Sequence, residues 1–132
     1  MLPVEGAQKV LQNLAAGHEL IAITARLGTA RQLTHPWLDR YFGGLFSSVH
    51  FSWNEYLTVQ DGVFPRKGEL CRDLGISVFI DDSVRTLEGC LSHGVRGILF
   101  GRIWNVSYAG SGMKRITAWE EVPGVLEGVG FR

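Results

Sequence analysis

The chain has 132 residues, 45% hydrophobic and 20% charged, with 13 basic and 13 acidic side chains and no net formal charge. That length suits a single domain spanning 1–132. The balanced charge, with no basic block, argues against a nucleic-acid polymer or a membrane surface as partner. No apolar run approaches the length of a membrane span and the N-terminus lacks a signal-peptide pattern, so a cytoplasmic location is expected.

Residues 4–17, VEGAQKVLQNLAAG, carry Val4, Ala7, Val10, Leu11 and Leu14 at helical spacing, with Gly17 as a stop. HELIAIT (18–24) is a short β-branched run, the pattern of a strand buried on both faces. TARQLTHPWLDRYFGGLF (29–46) reads as a helix in which Pro36 either makes a kink or marks a new first turn. SSVHFSW (47–53) is a second strand, and 54–65 is a polar loop with an Asp-Gly turn at Asp61. RKGELCRDLG (66–75) is an amphipathic helix closed by Gly75, and ISVFI (76–80) is a third strand. A helix over 83–94 with a glycine stop leads to a fourth strand at 95–100. Residues 101–114 form an irregular loop, and 115–128 add a short strand and a last helical turn. Cys71 and Cys90 fall in predicted helices without metal-ligand spacing, so buried thiols are expected rather than a disulfide.

Strands alternating with helices predict an α/β fold, a Rossmann-like three-layer sandwich around a mostly parallel sheet. Ligands of such sheets bind beyond the carboxyl ends of the strands. Those ends carry Thr24, Ala25 and Arg26 on the first strand and Asp81, Asp82 and Ser83 on the third, while Lys67 opens the helix leading into the third. Asp81 and Asp82 are oxygen donors of the kind Mg²⁺ takes. Thr24 and the amide of Ala25 could hold a phosphoryl group, and Lys67 could balance its charge. Taken singly, each has a plainer reading. Asp82 or Ser83 caps a helix, Thr24 caps a turn, Lys67 is solvated and Arg26 lies at the surface or pairs with an acid. His18, His35, His50 and His93 share no metal-site spacing and read as structural.

The ordered set LIAITAR (20–26) and PRKGELCRDLGISVFIDDS (65–83) resembles the haloacid dehalogenase-like (HAD) hydrolase superfamily, in particular its 5′-nucleotidase-like branch. ILFGRIWN (98–105) and RITAWEEV (115–122) look like that branch's tail, with Ile103 where a proline is usual. The resemblance implies a Mg²⁺-dependent phosphohydrolase acting on a small phosphorylated molecule. Thr24 and Lys67 would be catalytic, Thr24, Ala25 and Arg26 would bind substrate, and Asp81 and Asp82 would hold the metal. The alternative is a non-catalytic relative that binds a phosphorylated ligand or a protein partner. The family's nucleophile lies in a D-x-D motif at the end of its first, central strand, and no D-x-D occurs here. Asp39, Asp61 and Asp73 follow no predicted strand. The expectation is therefore a HAD-like core missing its central strand, between 19–24 and 76–80. Either those two strands pair directly, or a homodimer or partner chain completes the sheet. A truncated product of an ordinary enzyme gene is the third expectation.

Overall fold

A computed structural model describes residues 2–54, 62–108 and 112–130. The predicted Asp-Gly turn begins at Asp61 and lies outside the described residues. The chain is α/β, with helices packed on two parallel sheets. Helix α1 (Ala7–Leu14) is followed by β1 (Leu20–Thr24), α2 (Gly28–Gln32), α3 (Thr34–Phe42) and β2 (Phe46–Phe51). Then come α4 (Lys67–Leu74), β3 (Val78–Asp81), α5 (Val84–Ser92) and β4 (Arg96–Phe100). Strand β5 (Met113–Ile116) and helix α6 (Val122–Gly128) complete the order. Among the described residues, no helix is long and apolar enough to cross a membrane.

The predicted helix at 29–46 is two helices that meet at Leu33. Pro36 sits in the first turn of α3, where its missing N–H leaves no helical bond unmade. The third strand runs one residue further than predicted, to Asp81, because its backbone pairing continues to Leu99 of β4. Helix α4 stops at Gly75, whose φ of 70° is in the left-handed region that a Cβ disfavours. Ordered structure also enters the predicted irregular loop, since Ile103–Asn105 form a 3-10 turn and β5 begins at Met113.

β1 pairs with β2, and β3, β4 and β5 form a second sheet in that order, every pairing parallel. β4 is central and nearly all buried, as its apolar run Gly-Ile-Leu-Phe requires. Phe79, Leu99 and Leu87 pack with Cys71 and Cys90 on the α4–α5 side. Ile98, Phe100 and Ile116 pack with Val10, Val122 and Leu126 of α1 and α6 on the other. A third cluster joins Ala7 and Leu11 of α1 to Phe42 of α3. Both cysteines are free and buried, as expected.

The expected direct pairing of 19–24 with 76–80 does not occur, because β1 and β3 belong to different sheets. β1 and β2 lie on the α1–α3 cluster and β3 lies between the α4–α5 and α1–α6 clusters, with Ile23 of β1 also packed against the α4–α5 cluster. Leu14 and Trp119 pack against both the α1–α3 and α1–α6 clusters, so they tie the two sheets together while leaving a slot between β1 and β3.

Candidate functional site

Lys67 is the first residue of α4, an end where the helix dipole repels a cation. A carboxylate answers that charge. Lys67 Nζ lies 2.9 Å from Asp81 Oδ2, with side chains only 19% and 10% exposed. The other carboxylate oxygen, Asp81 Oδ1, accepts the backbone N–H of Asp82 at 2.7 Å and of Ser83 at 3.1 Å. Those amides lead into α5, whose first N–H groups have no partner within the helix. Ser83 caps α5, its hydroxyl accepting the N–H of Thr86 at 3.2 Å. Both oxygens of Asp81 are thus engaged by a lysine and by backbone amides.

Asp82 carries the cost of two adjacent acids. Burial pushes its carboxyl above the ordinary carboxylate range, and the hydrogen bond and charge of Asp81 push the same way. Its backbone is clamped from below. Asn105, 3% exposed, donates from Nδ2 to the carbonyls of Asp82 at 2.8 Å and Phe100 at 3.0 Å, while its Oδ1 accepts the N–H of Arg102 at 2.8 Å. Arg115 in turn donates to the Asn105 carbonyl at 3.0 Å. Nothing in the sequence around Asn105 announces this role beyond an amide side chain just past a strand end, a position suited to bridging loose backbone groups.

Lys67, Asp81, Asp82 and Ala25 line one cavity of about 360 Å³ at the carboxyl ends of β1 and β3, together with Arg66 and Trp53. The Arg66 guanidinium lies 5.6 Å from the centre of the Trp53 ring, and Asn54 holds the Ala25 carbonyl at 3.2 Å. Thr24 and Arg26 are not in this lining. The Thr24 carbonyl accepts the N–H of Ser52, the residue after β2, and the Arg26 guanidinium stands 5.5 Å over the Trp37 ring. The folded chain therefore groups Ala25 with Lys67, Asp81 and Asp82, and leaves Thr24 and Arg26 at the margin.

No group of three or more His, Cys, Asp or Glu side chains among the described residues could hold a metal ion. Two adjacent carboxylates, one engaged on both oxygens and facing an ammonium at 2.9 Å, do not make a magnesium site as they stand. The cavity lining sets the cations Lys67, Arg66 and Arg85 among the acids Glu69, Asp81 and Asp82, beside the Trp53 ring. His93 lines its edge, while His50 contacts the Ser48 hydroxyl at 3.0 Å and His35 packs edge-on to Phe51. No protein-family model matches the chain, and no curated protein matches it.

Proposed function

We propose that the chain is the phosphate-binding part of a HAD-like phosphohydrolase, and that the cavity at the ends of β1 and β3 receives the phosphate of a small phosphate ester. The observation that carries this reading is Lys67, a mostly buried cation held at a strand-end cavity by Asp81 at 2.9 Å. A phosphate approaching Lys67 would share it with Asp81, and Arg66 and the Ala25 turn would meet the remaining oxygens. Thr24 and Arg26 flank Ala25 and belong to that turn in this reading. Hydrolysis by the family's route needs the aspartyl acceptor of a D-x-D motif, which this sequence does not contain. Binding without turnover is thus the activity assigned to the chain on its own. Magnesium enters only where a further oxygen donor joins Asp81 and Asp82, when it would neutralise phosphate charge.

The test is titration of the chain with inorganic phosphate and with p-nitrophenyl phosphate, followed by amide chemical shifts, beside an assay for p-nitrophenol release. The expected result is binding centred on Ala25 and Lys67, weakened at least about tenfold (about 1.4 kcal/mol) in Lys67→Met, with no release whether or not Mg²⁺ is added. Absence of binding, or a Lys67→Met variant that binds unchanged, overturns the reading. Mg²⁺-dependent release by the chain alone would make it a complete hydrolase instead.

A further inference from the structure

We propose that the slot between β1 and β3 binds one extended, apolar peptide segment of a second polypeptide, which joins the two sheets into one. The slot has a volume of about 380 Å³ and its walls are strand residues, among them Ile21, Ile23, Val78 and Ile80. Ala7 and Leu11 of α1 also line it.

Both walls run the same way. Ala25 and Asp81, at the carboxyl ends of β1 and β3, line one cavity. Leu20 and Val78, at their starts, line another. The main-chain groups facing the slot follow from the bonds on the far sides. The Thr24 carbonyl accepts from Ser52, towards β2, and the Ser77 carbonyl accepts from Arg96, towards β4. Backbone groups alternate sides along a strand, so the N–H and C=O of Ile21, Ile23, Val78 and Ile80 turn into the slot. Two rows of donors and acceptors across an apolar space call for a partner presenting both groups on both edges, and an extended peptide does so.

The occupant's character follows. It continues two existing ladders, β2–β1 and β3–β4, and so runs parallel to both. The slot's long walls carry no charge until Asp81 at one end, so the segment is uncharged along its length. An edge strand of a second folded copy has one free edge where the slot demands two, so a free segment fits and a docked copy does not. The burial record agrees: all five residues of β1 are only half-buried, whereas β4, paired on both edges, is buried from Gly97 to Phe100. The strand-end cavity enters only to fix the strand direction, and no phosphate binding is assumed, so the two proposals fail independently.

Amide hydrogen exchange on the whole chain tests the inference. The probe is a synthetic peptide with the core Val-Ile-Val-Val-Ile between lysines, and its control has proline at the middle valine, which removes a donor. Exchange at Ile21, Ile23, Val78 and Ile80 should be fast in the chain alone and should slow at least about tenfold with the peptide, but not with the control. A second form fuses the same strand through a short glycine turn to Leu2. Val4 and Asp81 line one cavity, so the fused strand would enter parallel, at high effective concentration. Amides already as slow as those of β4 without peptide overturn the proposal. So does protection that grows with protein concentration alone, which would make a second copy the occupant. Exchange unchanged by both the peptide and the fusion overturns it as well.

Discussion

Asp81 and Asp82 are neighbours in sequence with opposite fates. Asp81 keeps its charge company with Lys67 and two amides, whereas Asp82 has a half-buried carboxyl beside another acid. Because the Asp82 pKa is raised on folding, its stabilising share is fully present below the ordinary value of 3.8 and is lost as pH rises through the folded value. Removing the charge should therefore help at neutral pH. Asp82→Asn should raise the melting temperature at pH 7, and the gain over wild type should fade as the pH drops below about 4. Thermal melts of both proteins across that range check the sign, and a variant no more stable at pH 7 would refute it. The sequence made this pair conspicuous and offered Asp82 or Ser83 as the cap of the next helix, of which Ser83 is the one observed. It did not reveal that Asp81 would be saturated, because that depends on α4 laying Lys67 against β3. Nor did it reveal Asn105, whose partners Asp82 and Phe100 come from two other segments.

Helices α4 and α5 approach closely through small residues. A Cβ on Gly68 would stand 2.9 Å from both the carbonyl carbon and the oxygen of Gly89, and these are backbone atoms that cannot swing aside. One turn beyond Lys67, Cys71 meets Cys90 with 4.0 Å between sulfurs and neither side chain exposed. The Cys71 thiol is pushed far up, first by its hydrogen bond to Cys90 and then by burial. Gly68→Ala should therefore cost about 1–3 kcal/mol, read by urea denaturation, through parting the helices. A loss under ~0.5 kcal/mol would mean that the two helices slide apart freely. Element types were readable because periods and glycine stops were clear, as in α4 with Gly75 and α5 with Gly94. The break at Leu33 was not, since the apolar spacing of α2 and α3 runs on across it. Pro36 marked the neighbourhood of the break, and its place in the first turn is one of the two options it left open.

Across the whole molecule, the two sheets differ in how well they are buried. β4 lies between two strands and two helix layers, while β1 has one strand neighbour. Exchange protection should accordingly be greatest in β4, intermediate in β3 and β5, and least in β1 and β2, with the first group approaching the global unfolding limit. Uniform protection over all five strands would mean that the sheets open as one unit. The α/β class was legible from alternating periods, and the apolar runs of 18–24 and 76–80 announced strands, although β1 is only half-buried where burial on both faces was expected. Their separation was not legible as such, because sequence gives each strand's demand for neighbours and says nothing about whether helices hold the strands within reach of each other.

The positions of the four tryptophans give these surfaces separate optical reporters. Trp37 and Trp119 line the slot, Trp53 lines the strand-end cavity under Arg66, and Trp104 stands 67% exposed on the 3-10 turn. Indole emission moves to shorter wavelength as water leaves the ring. Occupation of the slot and occupation of the cavity therefore act on different indoles, which Trp53→Phe and Trp37→Phe variants read apart, with Trp104 as a solvent reference.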